Sequence, residues 1–158
     1  MAMKFVLIDR ITELVPGERI VAHKALSLAE EYLADHFPRF PVLPGVLMIE
    51  ALVQASAWLV RATEDFAHSM VLLAEAKNVT YKSFVSPGQV LELAVDLKQC
   101  DPSGSRFVGV GRCGTSEMVK AQWSLRHFNL AEQDPRMRSV DEALIAAARR
   151  QMALLRHS

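Results

Sequence analysis

Apolar and polar residues alternate with a period of two through much of the second half of the chain. In "VLELAVDL", Leu91, Leu93, Val95 and Leu97 share one face. The alternation is cleaner in "VKAQWSLRH", where one face carries Val119, Ala121, Trp123, Leu125 and His127. Such a pattern predicts strands with one buried face. Turn residues such as Asp101-Pro102-Ser103-Gly104 separate the runs, so we expect an antiparallel meander.

The first half of the chain combines a predicted hairpin with a long apolar helix. Two β-compatible runs, "FVLIDRITEL" and "RIVAHKALSL", flank the turn signal Pro16-Gly17. A helix is expected from about Gly45 to Thr63. Its most apolar part, Val46 to Val60, is shorter than the roughly 20 residues of a membrane-spanning helix. We therefore expect a buried helix and no membrane span.

A helix that is apolar on nearly all sides must be covered on nearly all sides. The sequence therefore predicts an α+β fold in which a strongly bent antiparallel sheet wraps a central helix, with a second copy of the chain adding cover. We expect residues 1–130 to form this domain and residues 131–158 to form a C-terminal helical extension. Ser139 to Glu142 fits a capping box that would start the last helix. Its apolar face would consist of Leu144, Ala148, Met152 and Leu155.

Composition narrows the partners and the compartment. Eighteen basic residues balance eighteen acidic ones, so no net charge attracts nucleic acid. Cys100 and Cys113 have neither metal-ligand spacing nor a disulfide framework around them, which favours a reducing, cytoplasmic setting. The N-terminus has no apolar region of signal-peptide length before Asp9 and Arg10.

The stretch "HFPRFPVLPG", which leads into the helix, concentrates the residues that could carry chemistry. Its three prolines stiffen the chain and so hold His36 in a defined place. At the helix start, the unpaired N–H groups of Gly45 and Val46 suit a polarised carbonyl oxygen. Glu50 lies about 7–8 Å further along the axis by helix rise, and Gln54, one turn beyond it, could orient its carboxyl group.

These groups suit proton chemistry beside a carbonyl. His36 could take a proton from the α-carbon, the helix N–H groups could stabilise the enolate, and Glu50 could protonate a departing hydroxyl group. A structural role is the alternative for each residue. Glu50 could be a buried acid satisfied by backbone donors, and Gln54 could bridge subunits instead of orienting Glu50.

The segment "HFPRFPVLPGVLMIEALVQ" resembles the motif of the β-hydroxyacyl-acyl-carrier-protein dehydratases of bacterial fatty-acid synthesis, roughly H-F-P-G-x-P-x-x-P-G-V-x-x-x-E-A-x-x-Q. The spacing from His36 to Glu50 matches, and Gly45 and Gln54 match in place. The hairpin "FVLIDRITELVPGERIVAHKALS" and the segment "NVTYKSFVSPGQVLEL" are also similar to that family. The resemblance covers about Phe5 to Phe128.

The resemblance implies a hot-dog fold and dehydration of a β-hydroxyacyl thioester, carried on the phosphopantetheine of acyl carrier protein, to a trans-2-enoyl thioester. It implies no metal and no further cofactor. It also implies an obligate homodimer, with trimers of dimers as a further assembly, in which His36 of one subunit works with Glu50 of the other. The Gly45 N–H would contact the thioester carbonyl.

The chain also departs from the family pattern. Arg39 stands where the family usually has glycine, three residues after the histidine. Two alternatives to the dehydratase therefore remain: a hot-dog thioesterase, and a noncatalytic acyl- or carrier-binding homologue. The remaining histidines are interpreted as structural or solvent-facing: His23, His68, His127 and His157.

Overall fold

The computed structural model describes residues 7–27 and 45–156, so His36 and Arg39 lie outside the described residues. In chain order the elements are β1 (Arg10–Val15), β2 (Arg19–Ala25), α1 (Gly45–Thr63), β3 (Met70–Tyr81), β4 (Val90–Asp101), β5 (Gly104–Cys113), β6 (Ser116–Phe128), two 3-10 turns (Leu130–Glu132 and Pro135–Met137) and α2 (Arg138–Arg156). The predicted hairpin is present, and Gly17 provides the positive φ of 79° that its turn requires.

The six strands form one antiparallel sheet in the order β1-β2-β4-β5-β6-β3. The predicted alternation is confirmed in β6, where every second side chain from Val119 to His127 is buried. It is confirmed in β4 as well, since Leu91, Leu93 and Val95 are buried and Glu92 is exposed. These buried rows form the concave face of the sheet.

Helix α1 lies against that face with the bounds expected from the sequence. It contacts all of the strands from β2 to β6, which is the wrapped arrangement that its apolar surface requires. By length and composition α1 is long and apolar enough to cross a membrane, but 61% of its apolar window is buried inside the fold. The interpretation as a buried helix is therefore confirmed.

One contact shows how closely the helix and the sheet fit together. Trp123 Nε1 on β6 donates a hydrogen bond to Ser56 Oγ on α1 at 2.8 Å. A Cβ atom at Gly109 would lie 2.4 Å from the Trp123 ring and 3.2 Å from Leu52. Glycine at this position on β5 therefore leaves the space that the indole fills between sheet and helix.

Two details predicted for the last helix are wrong. Helix α2 begins at Arg138, one residue before the expected capping box, because Pro135 starts a 3-10 turn that runs directly into it. Asp134 caps that turn by accepting a hydrogen bond from Arg136 N. Leu144 is 39% exposed and Asp141 is buried instead, whereas Met152 and Leu155 are buried as predicted.

Candidate active site

The carboxyl group of Glu50 lies on the second turn of α1 and is half-buried. Gln54, one turn later, accepts a hydrogen bond from Leu7 N at its Oε1, at 2.9 Å. This bond turns the Gln54 amide so that Nε2 faces Glu50, to whose Oε1 it donates across 3.4 Å. The segment that precedes β1 thus fixes the amide orientation, and the amide in turn holds the acid.

The start of α1 lies beside an aromatic ring from β3. A Cβ atom at Gly45 would lie 3.0 Å from Tyr81 Cε1, so the absence of a side chain lets the Tyr81 ring approach the helix start. Val46 is 70% exposed and Tyr81 is 50% exposed. The first N–H groups of a helix have no intrahelical partner, and α1 has no acidic residue in its first turn. This end of α1 therefore offers hydrogen-bond donors near open surface, where a ligand oxygen could bind.

The structure thus places four of the five candidate residues, Gly45, Val46, Glu50 and Gln54, within the first three turns of one helix. The fifth, His36, belongs to residues 28–44, which lie outside the described part of the chain. The arrangement can bind a carbonyl oxygen at the helix start and present a positioned carboxyl group about 7–8 Å along the axis.

A second cluster of ionisable groups lies beyond the other end of α1. Glu64 follows the last helical residue, His68 lies in the connection to β3, and His127 is on β6. Their ligand atoms all lie within 4.8 Å of one another. Burial lowers the pKa of His127, and the Glu64 carboxylate opposes that shift only in part. We call these three side chains the Glu64 cluster.

The interpretation of His68 and His127 as structural or solvent-facing residues did not predict this cluster. Two signals pointed to it: Glu64 and His68 are four residues apart at a helix end, and His127 is the one polar member of the buried row in "VKAQWSLRH". Neither signal predicts that the turn after α1 and the end of β6 meet, because that proximity depends on β3 pairing with β6.

Comparison with known proteins identifies a matching family and sequence relatives of this chain. A family model described as "FabA-like domain" matches residues 1–116. A "3-hydroxyacyl-[acyl-carrier-protein] dehydratase FabZ" of Clostridium kluyveri is 35% identical over 121 residues, which is 77% of this chain and 83% of the relative. A protein of the same name from Bacillus velezensis is 37% identical over 118 residues, covering 75% of this chain and 84% of the relative.

Solved structures confirm the architecture. A chain of "The Dehydratase Heterocomplex ApeI:P from Xenorhabdus doucetiae" superposes with a TM-score of 0.69 over 84% of this chain and 90% of that chain, at 20% identity. The fluoroacetyl-CoA thioesterase FlK superposes with a TM-score of 0.60 over 80% of this chain and 98% of that one, at 16% identity. At such identities the likeness shows the fold alone, which is the hot-dog fold expected from the sequence.

Proposed function

The chain belongs to the FabA-like dehydratase family, and on that premise we propose that His36 and Glu50 carry out the dehydration of 3-hydroxyacyl-acyl-carrier-protein thioesters. The activity itself is that of a hydro-lyase of fatty-acid biosynthesis, as in the FabZ relatives. The observation that carries the site assignment is the chain of hydrogen bonds from Leu7 through Gln54 to Glu50, since it holds a carboxyl group near the donor-rich start of α1.

In the proposed reaction His36 takes the proton from the α-carbon of the acyl chain. The electron pair of that C–H bond forms the new double bond, while the N–H groups of Gly45 and Val46 stabilise the developing negative charge on the thioester oxygen. The bond from the β-carbon to its hydroxyl group breaks, and Glu50 gives the leaving oxygen a proton, so that water departs. Proton return from His36 to Glu50 through solvent restores the starting state.

The homodimer is part of the proposal and is supported by the outer edge of β3. In the described part of the chain β3 pairs only with β6, so a strand of twelve residues forms one end of the sheet. Leu72 and Leu73 on this strand are 41% and 42% exposed. A long, partly apolar edge strand is a template for pairing with another chain. Pairing of β3 with a second copy would cover it, and in the proposed dimer His36 of one subunit works with Glu50 of the other.

Acyl carrier protein is the proposed partner, because the substrate arrives on its phosphopantetheine arm, and the reaction as written needs no metal or redox cofactor. A cytoplasmic location belongs to the same proposal. Cys100 and Cys113 are free thiols, with Cys100 exposed, which suits a reducing compartment.

The test is to incubate the protein with a 3-hydroxyacyl thioester and to follow enoyl absorbance together with free thiol. We expect enoyl product, and we expect His36→Ala and Glu50→Gln each to lower kcat at least about a hundredfold. His23→Ala and Glu92→Gln are matched controls, since these residues form a partly exposed His–Glu pair at 3.5 Å elsewhere on the sheet. Release of free thiol without enoyl product would show a thioesterase instead, and full activity in either site variant would refute the assignment.

A further inference from the structure

The Glu64 cluster lies at the end of α1 opposite the proposed catalytic site, about 21 Å from Glu50 by helix rise. His68 Nδ1 is 2.7 Å from Glu64 Oε2, and His127 Nδ1 is 4.0 Å from the same oxygen. The side chains of Glu64 and His68 are 13% and 17% exposed, and that of His127 is fully buried. The dehydration described above uses none of these groups.

His127 is oriented so that one ring nitrogen points into the cluster without a hydrogen-bond partner. Its Nε2 lies 2.7 Å from Ser105 Oγ, which fixes the ring. Its Nδ1 is buried and has no hydrogen-bond partner among the described residues, and the same holds for Glu64 Oε1. Leaving a buried polar atom unpaired costs about 1–3 kcal/mol, so two such atoms on members of one cluster indicate a missing partner there.

The backbone between Glu64 and His68 holds these two side chains together by an unusual conformation. Asp65 and Phe66 both adopt positive φ, at 50° and 58°, which is uncommon outside glycine. Arg149 on α2 stabilises this turn, because its guanidinium lies 4.5 Å from the Phe66 ring centroid and 3.3 Å from Asp65 Oδ1. Strained backbone that surrounding contacts hold in place is concentrated at functional sites.

A serine–histidine–acid triad does not account for the arrangement. Ser105 would be the nucleophile, but it is only 4% exposed and its hydroxyl group is already engaged with His127 Nε2. The 4.0 Å between His127 Nδ1 and Glu64 Oε2 also exceeds hydrogen-bond length. A small ion, in contrast, needs no open cleft.

We propose that the Glu64 cluster binds one divalent transition-metal ion of the Zn²⁺ class. Two imidazoles and a carboxylate are a ligand set that zinc uses, and nitrogen ligands favour such metals over Mg²⁺ and Ca²⁺. Ligand atoms of a tetrahedral zinc site lie about 3.4 Å apart, as follows from bond lengths near 2.1 Å. The distances of 2.7 Å and 4.0 Å from Glu64 Oε2 to the two histidines bracket that value, and all three ligand atoms lie within 4.8 Å of one another.

The surroundings support this assignment in two further ways. In the tautomer whose Nε2 donates to Ser105 Oγ, Nδ1 of His127 carries the lone pair that a metal ion needs, which is the arrangement usual for histidines that bind metals. Glu64 also lies at the C-terminal end of α1, where the helix dipole disfavours a carboxylate and favours a cation. A bound ion would join the end of α1, the turn after it and β6, and it would stabilise the fold without taking part in dehydration.

The test uses the untagged full chain, freed of metal by dialysis against a chelator. Titration with Co²⁺ should saturate at one equivalent per chain and give the visible absorption of tetrahedral cobalt, which Zn²⁺ should then displace. Zn²⁺ should raise the Tm by several degrees, and Mg²⁺ should leave it unchanged. Glu64→Gln and His68→Gln should each lower the affinity for Co²⁺ at least about tenfold, and the double variant should show no saturable binding.

The partly exposed pair His23 and Glu92 supplies the matched control, and His23→Gln with Glu92→Gln should leave Co²⁺ binding unchanged. His68→Gln is preferred to a change at His127 because His68 lies at the surface of the cluster and the variant should still fold. The proposal is overturned if the wild type binds no Co²⁺ saturably. It is equally overturned if the double variant binds as well as the wild type, since the metal would then lie elsewhere. Dehydratase activity without metal leaves both proposals standing, because they concern different residues.

Discussion

Each end of α1 carries a glutamate, but the two lie in opposite surroundings. At the first end, Val46 is 70% exposed, Tyr81 is 50% exposed and Glu50 accepts a hydrogen bond from the Gln54 amide. At the other end, the His127 side chain is fully buried and Glu64 is 13% exposed beneath a turn that α2 holds in place. A site that must admit an acyl chain needs open surface and few fixed groups, whereas a site that only holds an ion can be closed on all sides.

The helix dipole separates the two ends further. The positive end of the dipole at the start of α1 favours a negative charge, such as the one that the proposed dehydration would develop on the thioester oxygen. At the last turn the dipole favours a cation, and Arg61 already lies there. The same residue type, glutamate, therefore suits proton transfer at one end and cation binding at the other. Position along the helix, more than residue type, separates the two proposed roles.

The same substitution at both ends of α1 tests whether the two proposed sites are independent. Glu50→Gln should lower kcat at least about a hundredfold and leave the Tm within a few degrees, because the amide keeps the size of the side chain and the hydrogen bond to Gln54. Glu64→Gln should leave kcat within about twofold and should lower the Tm measured with Zn²⁺. Steady-state kinetics measures kcat and thermal unfolding measures Tm for both variants. A loss of turnover in Glu64→Gln with an unchanged Tm would show that the two ends are not independent.

Gln54 tests how the first end is organised. Gln54→Ala removes the amide that faces Glu50 and also leaves the Leu7 N–H without its acceptor. We expect kcat to fall about tenfold while KM changes little, since Gln54 positions the acid rather than the substrate. The pH profile of kcat should change in shape as well, which a purely structural role would not cause. Gln89→Ala is the matched control, because its side chain accepts a hydrogen bond from Ser86 N in a loop. An unchanged pH profile in Gln54→Ala would contradict the positioning role.

The sequence predicted the elements of this fold better than their contacts. The bounds of α1 and the buried rows of β4 and β6 follow from periodicity alone, because burial imposes a period of two on strands. The motif around Glu50 is local in sequence, so Gly45, Glu50 and Gln54 could be placed on one helix in advance. The relation of His36 to Glu50 stays a prediction, because His36 lies outside the described residues.

What could not be predicted depends on long-range packing. The Glu64 cluster joins His68, in the turn after α1, to His127 at the end of β6, and the two meet only through the pairing of β3 with β6. On α2 the prediction fails only at Leu144, because helical spacing allows neighbouring positions at the start of the buried face and hydrogen bonds from outside the helix select Asp141. No local pattern shows that an aspartate, rather than Leu144, points inward.

Asp141 should make the stability of the fold depend on pH. Burial raises the pKa of its carboxyl group, but hydrogen bonds from Ser69 Oγ, Ala131 N and Leu130 N outweigh burial and leave the pKa below its ordinary value. A lowered pKa stabilises the fold above the unfolded pKa, near 3.9, and that stability is lost as the pH falls through the folded value. Asp141→Asn should therefore lower the Tm by several degrees at pH 7 and by less at pH 3.

The exposed neighbour Glu142 provides the comparison for that measurement. Glu142→Gln should change the Tm little at either pH, because Glu142 lies on the solvent side of α2. Thermal unfolding from pH 3 to pH 7 measures both variants. An Asp141→Asn protein whose Tm loss is the same at both pH values would show that the hydrogen bonds, and not the charge, account for the stabilisation.

The smallest expected effect concerns the contact of α2 with the turn after α1. Arg149→Ala removes the guanidinium over Phe66 and its hydrogen bonds to Asp65, and these contacts are half-exposed, so the Tm should fall by only about 1–3 °C. Hydrogen exchange should nevertheless quicken in residues 64–68, because two left-handed residues there lose the side chain that holds them. Arg150→Ala, one residue along on the exposed surface, should change neither quantity. If the affinity for Co²⁺ also falls in Arg149→Ala and not in Arg150→Ala, helix α2 acts on the metal site through this turn. Equal affinities in both variants would mean that Glu64 and His68 keep their positions without the Arg149 contacts.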